Sequence, residues 1–199
     1  MSANLCYADV FRPSTKVWAS VYDILLVVAG SIAIGLSAQV YIGWPVPITG
    51  QTFAVLLIAA LYGANRGAAT ILVYIAEGLF GLPVFTKGQF GVATIVGPTG
   101  GYLFGFVLAA YVVGLLSEKG FDRTYAKTFL AMILGNCIIL AFGVVWLFLL
   151  ASAGKFSADF NRILQVGLYI FIPGDIIKSL FAAALLPTGW KLLKSMKIK

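Results

Sequence analysis

The sequence predicts an all-α, polytopic membrane protein with six transmembrane helices. Three observations carry that reading. Of 199 residues, 61% are hydrophobic and only 11% are charged, whereas a soluble domain carries roughly 25% charged residues. The mean hydropathy is +0.99. The charges that exist sit between long apolar runs, so a water-facing surface cannot be covered by them. The length suits a single integral membrane domain over 1–199, packed as one helical bundle.

The apolar runs lie near 17–40, 51–64, 68–81, 101–117, 126–151 and 163–187. The first is too long for a signal-peptide core, and no small-residue cleavage site follows it, so it reads as a retained span. A helix needs roughly 20 residues to cross about 30 Å of hydrocarbon. The first, fifth and sixth runs satisfy this. The second and third reach only about 21 Å each. They form either one hairpin that stops partway or two short helices completed by loops that dip into the membrane. Non-helical backbone survives at that depth only inside protein or beside a cavity, so the short pair predicts a cavity.

The flanking loops fit that cavity. Gly43-Trp44-Pro45-Val46-Pro47-Ile48-Thr49-Gly50-Gln51 precedes the pair, and a segment from Gly81 to Gly101 follows it. Both are rich in Gly and Pro yet apolar, unlike ordinary polar surface loops. They read as lids, with interfacial loops carrying Trp44 in an aromatic belt as the plainer alternative.

Charge sets orientation. Fourteen basic and seven acidic residues give +7. Six spans collect Arg12, Lys16, Arg66, Lys119, Arg123, Lys127, Lys191, Lys194, Lys197 and Lys199 on one side, against Lys87, Lys155 and Arg162 on the other. The positive-inside rule then places both termini in the cytoplasm and the chain in the cell (cytoplasmic) membrane. The basic excess follows topology rather than one exposed face, which argues against a nucleic-acid partner. Cys6 lies before the first span and Cys137 inside a later one, so no disulfide and no metal site is expected. The chain has no histidine, the commonest general base and metal ligand, and that counts against an enzyme.

Ionisable residues inside spans are costly and therefore functional candidates. Asp175 and Lys178 are the strongest pair. They sit about halfway along the sixth run in Pro173-Gly174-Asp175-Ile176-Ile177-Lys178, three apart and so on one helix face. Pro173 removes a backbone hydrogen bond there. A carboxylate beside an ammonium can grip a ligand that has both donors and acceptors. A structural ion pair is the plainer reading. Glu77 stands beside the Gly78–Pro83 break, Asp23 lies in the cytoplasmic turn of the first span, and Asn136 is a polar residue of the fifth run. Gly97-Pro98-Thr99-Gly100-Gly101-Tyr102 opens the fourth helix, whose N-terminus offers unpaired N–H groups to an anion. Close packing through Gly101 and Gly105 is its alternative. Ala29 and Ala33, four apart on the first helix, make a small-residue face for close helix approach.

Taken in order, Pro45-Val46-Pro47-Ile48-Thr49-Gly50-Gln51-Thr52, Gly81-Leu82-Pro83-Val84-Phe85, Gly97-Pro98-Thr99-Gly100-Gly101-Tyr102-Leu103-Phe104-Gly105-Phe106 and the Pro173–Lys178 stretch resemble the BioY family of biotin-binding S components of energy-coupling-factor (ECF) transporters. The likeness covers most of the chain and is weakest over the first thirty residues and 117–135. It implies an S-component-like bundle with an outward-facing site under the two lids. It implies a complex with a transmembrane coupling (T) subunit, met through Ala29 and Ala33, and two cytoplasmic ATPases. ATP hydrolysis would belong to those partners, biotin would be cargo rather than cofactor, and the S component would topple in the bilayer to release it. The candidate ligand set is then Asp175, Lys178, Asn136, Gly100, Tyr102, Gln51, Thr49 and Glu77. In this set Asp175 accepts ureido N–H bonds, Asn136 or Lys178 donates to the ureido carbonyl, and the backbone near Gly100 or Lys178 holds the valerate carboxylate. An S component for another vitamin, a stand-alone transporter and a structural membrane subunit are the competing readings.

Overall fold

The computed structural model describes residues 5–43 and 46–197. Trp44, Pro45 and Lys199, singled out above, lie outside the described residues. The elements are α1 (Lys16–Ala38), a short hairpin of β1 (Tyr41–Ile42) and β2 (Ile48–Thr49), α2 (Gln51–Tyr62), α3 (Ala64–Leu79), the single turn α4 (Val92–Ile95), α5 (Gly100–Glu118), α6 (Tyr125–Ser152), α7 (Phe160–Leu164) and α8 (Ile172–Lys197). The hairpin is antiparallel, with Tyr41 opposite Thr49 and Ile42 opposite Ile48.

Four helical stretches are long and apolar enough to cross a membrane: Lys16–Ala38, Gly100–Glu118, Tyr125–Ser152 and Phe160–Met196. The second and third runs again fall short. α2 has 12 residues and α3 has 16, rising about 18 Å and 24 Å. They are two helices joined at Gly63, whose φ of 85° reverses the chain in one residue. This moves the start of the third helix from 68 to Ala64 and puts Arg66, read from sequence as a loop charge, into its first turn.

The last run also differs. It begins at Phe160, passes through a π turn over Gln165–Tyr169 and continues beyond 187 to Lys197. The π turn widens the helix by one residue, with Ile170 N–H donating to Gln165 C=O at 3.4 Å. Pro173 follows as the second residue of α8, where a missing N–H costs little. The helix runs on past Pro187 because Trp190 and Leu193 continue its buried face.

α5 is the centre of the bundle, packed on α2, α3 and α6. Its approach to α6 depends on absent side chains: a Cβ at Gly101 would lie 2.2 Å from Trp146 Cβ, and one at Gly105 would lie 3.0 Å from Ile139 Cα. The small-residue reading of this stretch therefore holds. α1 is peripheral. Leu25, Ile32 and Leu36 point outward with Ala29 and Ala33, while Gly30 turns inward against Thr70 and Tyr62.

One end of the bundle gathers the start of α1, the α2–α3 turn, the end of α5, the start of α6 and the end of α8. A 3-10 turn over Tyr7–Phe11 lies across it. Arg66 pairs with Asp9 and, at 3.1 Å, with Asp23, which also takes Arg12 at 2.7 Å. Asp23 is thus a half-buried hub shared by two arginines. Trp190 Nε1 donates to the buried Asp122 carboxylate, and Ala64 N–H donates to Glu118 at 2.8 Å.

Candidate functional site

The opposite end holds the hairpin, the 80–99 segment and the starts of α2 and α5. Just inside it, α2, α6 and α8 bring five polar side chains together in the apolar interior. Asp175 is 3% exposed, Asn136 5% and Ser179 1%. Thr52 donates to Asp175 Oδ1 at 3.1 Å. Lys178 Nζ donates to Thr49 C=O at 2.8 Å, to Thr52 Oγ1 at 2.9 Å and to Asp175 Oδ1 at 3.3 Å. An ammonium has three hydrogens, and these three acceptors use them. Asn136 Nδ2 donates to Ser179 Oγ at 3.1 Å, and Ser179 donates in turn to Asp175 C=O at 2.7 Å.

Two acceptors in this cluster are left over. Asp175 Oδ2 and Asn136 Oδ1 are buried and take no hydrogen bond. Leaving a buried acceptor unmatched costs about 1–3 kcal/mol, more for a charged one. The spacing of three between Asp175 and Lys178 does place both on one face. Their pairing alone leaves one oxygen of the carboxylate without a partner.

Above the cluster is a pocket with about 570 Å³ of empty space, part of it open to solvent. Its apolar wall comes from Val46, Phe85, Leu103, Phe106, Ile139 and Phe171. Its polar points are Thr49, Gln51, Thr52, Thr86, Thr94 and Thr99, with Gln89 and Tyr102. The charged pair lies just beyond this wall. Thr52 lines the pocket and also a narrow gap between side chains that Asn136, Lys178 and Ser179 share, so it is the joint between the two.

The 80–99 segment covers the pocket and is tied down at several points. Gln51 Oε1 accepts from Thr49 and Thr86, each at 3.1 Å, and its Nε2 donates to Tyr74 OH at 2.7 Å. Tyr74 passes the bond to Val84 C=O at 3.2 Å. Gln39 donates to Phe85 C=O and accepts from Gly88 N–H, both at 3.1 Å. Phe85 packs edge-on to Tyr74, with centroids 5.5 Å apart, over Gly78. Tyr102 braces the far wall, its hydroxyl donating to Gly167 C=O in the π turn at 2.8 Å.

Of the residues picked out from the sequence, Asp175, Lys178 and Asn136 meet in the buried cluster, and Thr49, Gln51 and Tyr102 line the pocket. Glu77 and Gly100 are not brought to either. Glu77 accepts from Ser31 of α1 at 2.7 Å, a bond between two helices. Gly100 N–H is engaged by Gly97 C=O at 3.1 Å, and an added Cβ would fall 1.7 Å from Ile95 C=O. Its requirement for glycine is packing. Sequence reasoning passed over Ser179, Thr86, Gln89, Thr94 and Phe171. For Thr86, Gln89 and Thr94 the only signal was a hydroxyl or amide recurring inside an otherwise apolar loop, for Ser179 a position one turn after Asp175, and Phe171 is one apolar residue among many in its run.

Comparison with known proteins agrees with this geometry. The chain is 38% identical over 162 residues to the biotin transporter BioY of Rhizobium etli, covering 77% of this chain and 83% of that one. It is 38% identical over 165 residues to the biotin transporter BioY of Thermotoga maritima, covering 83% and 89%. The fold superposes on the crystal structure of the S-component for biotin from an ECF-type ABC transporter with a TM-score of 0.74 at 24% identity, over 90% of this chain and 95% of the other. The sequence model of the BioY family matches residues 12–195, nearly the whole chain, and the chain therefore belongs to the BioY family.

Proposed function

We propose that this chain is the biotin-binding substrate-specificity subunit of an ECF-type ABC transporter and mediates biotin uptake across the cytoplasmic membrane. The observation that carries the proposal is the pair of unmatched buried acceptors, Asp175 Oδ2 and Asn136 Oδ1, beside Lys178 and just beyond the Thr52 wall of a mostly apolar pocket. Biotin's ureido ring has two N–H donors and a carbonyl acceptor. Its N–H groups match Asp175 Oδ2 and Asn136 Oδ1, and its carbonyl takes a Lys178 hydrogen in exchange for Thr49 C=O. Thr52 sits where the ring must pass, and Phe106, Ile139 and Phe171 suit the thioether ring and tail.

In this reading all six helical runs lie across the membrane, α2 and α3 being completed by the loops that form the pocket. The single domain has both termini on the basic, cytoplasmic side, and the pocket opens outward. Ala29 and Ala33 meet the T subunit, two cytoplasmic ATPases hydrolyse ATP, and this chain has no cofactor of its own. Support comes from the names of the relatives and the outward exposure of both alanines on α1.

The test is mass spectrometry of small molecules released by denaturing the detergent-purified chain, followed by titration with biotin. Near-stoichiometric biotin is expected. A different compound in the pocket would overturn the substrate, and a folded chain that is empty and ignores added biotin would overturn the binding role.

A further inference from the structure

Outside the pocket lies a second, wider hollow of about 1020 Å³, open to solvent. Pro47, Thr86, Gln89, Thr94 and Thr99 line both, so the outer hollow is the vestibule of the inner pocket. Among the described lining residues of the two, Lys87 is the one that carries a charge.

Its backbone is unusual. Lys87 has φ 64° and ψ 26°, and among the described residues no other non-glycine has positive φ. Such a conformation costs an L-residue about 1–2 kcal/mol and persists where the surroundings impose it. Here they do. The Phe85 ring is wedged over Gly78, Phe85 N–H donates to Gln89 C=O at 3.1 Å, and Gln39 holds Phe85 and Gly88 on either side. The turn lifts the Lys87 ammonium over the Tyr41 ring, 5.5 Å from its centroid, at the vestibule's edge.

We propose that Lys87 is the carboxylate-recognising residue of the site: it receives the acid group of the ligand at the vestibule and holds it once the ring is seated below. The inference rests on the biotin reading for the ligand and adds its direction, ring inward and acid outward. The inner pocket offers no cation along its described lining, and Lys178, beyond its wall, is assigned to the ureido carbonyl at the opposite end of the ligand. A carboxylate on an apolar shaft therefore finds its countercharge only at the outer rim. The cation over Tyr41 is held in place without being withdrawn from water, which suits capture and salt-dependent steering.

The experiment is calorimetric titration of the detergent-solubilised full chain with biotin and with biotinamide, in which a neutral amide replaces the acid. Wild type is expected to bind biotin about tenfold more tightly than biotinamide at low salt, with the margin shrinking as salt rises. Lys87→Asn, whose new side chain tolerates the left-handed backbone, should lose that margin while binding biotinamide as wild type does. Lys87→Arg should keep it. An equal loss for both ligands in Lys87→Asn, or no loss for either, overturns the assignment. Wild-type chain that binds biotin but shows no preference for the acid overturns it too and leaves the biotin reading standing. Failure to bind either compound defeats the biotin reading, and this inference falls with it.

Discussion

The two ends of the bundle differ in how they hold their buried charges, although each leaves an acceptor over: Asp122 Oδ1 at the basic end, and Asp175 Oδ2 with Asn136 Oδ1 at the pocket end. At the basic end, Asp9 and Asp23 are met by Arg66 and Arg12, and the 3-10 turn over Tyr7–Phe11 closes the helix ends together. Tyr22 OH donates to Ala8 C=O there at 3.0 Å, and Tyr7 stacks edge-on against Trp190 at 5.5 Å. At the pocket end, one carboxylate oxygen and one amide oxygen are buried without partners, and the covering segment hangs on a few bonds from Gln39, Gln51 and Tyr74. Each unmatched buried acceptor calls for an explanation; those of the pocket end lie beside a cavity wall that Thr52 shares, whereas Asp122 sits under Trp190. The basic end is a fixed base, and the pocket end is arranged to exchange partners.

That contrast predicts opposite signatures for two charge removals, the largest effects expected. Asp175→Asn keeps an oxygen for Thr52 but removes the charged acceptor, so biotin affinity should fall by about ten- to a hundredfold. The melting temperature of the empty chain should fall only slightly, because the Lys178 ammonium loses its countercharge but keeps Thr49 C=O, Thr52 and the new amide oxygen as acceptors and is partly exposed. Arg66→Ala should do the reverse. It strands Asp9 and leaves Asp23 to Arg12 alone, a loss of about 2 kcal/mol after allowance for its partial exposure. Affinity for biotin should stay within twofold. Paired thermal melts and titrations check both, and an Arg66→Ala chain with weakened binding would break the division between the ends.

A smaller effect is expected where the lid is anchored. A Cβ at Gly78 would come 2.2 Å from Phe85 Cζ, so Gly78→Ala must push the ring that clamps the 80–91 turn. Overpacking of this kind costs about 1–3 kcal/mol. Because the displaced group belongs to the pocket wall, affinity should fall about fivefold with faster ligand release. Stopped-flow dissociation measures this. Unchanged release would mean that the turn is held by Gln39 and Gln51 without Phe85.

Much of this was legible in the sequence. The bundle and its helices were readable because hydropathy reports burial in lipid and protein alike, and Asp175, Lys178 and Asn136 stood out because polar groups in spans are costly. The lid loops showed themselves through Pro and Gly in apolar surroundings. What stayed hidden depends on contacts between distant segments. Nothing local says that Gln51 will bridge Thr86 and Tyr74, or that Glu77 will spend itself on Ser31. Gly100 illustrates the limit from the other side: a glycine at a helix start reads equally as an anion cradle and as a packing requirement, and only the 1.7 Å approach to Ile95 decides for packing. The third helix began four residues early because one glycine can turn a chain that hydropathy spreads over a loop.

The smallest effect tests how tightly the basic end is closed. Cys6 is fully buried there, its thiol donating to Asp9 at 2.8 Å while Arg66 Nη2 approaches its sulfur at 3.0 Å. Burial, and then the hydrogen bond to Asp9, push this thiol up to about 12 from an ordinary value of 9.0. The group thus prefers its protonated form when folded. Its contribution to stability is complete below pH 9, where unfolded thiol is also protonated, and is lost as pH rises from there toward about 12. Wild type should therefore lose roughly 2 °C more of its melting temperature than Cys6→Ala does between pH 8 and pH 10.5. In a Cys137→Ser background, which leaves Cys6 as the sole thiol, a maleimide should react at pH 8 far more slowly than with the denatured chain, since the thiolate is the nucleophile. Rapid labelling of the folded chain would mean that the Tyr7–Phe11 turn lifts readily, and the basic end would then be as mobile as the lid it is contrasted with.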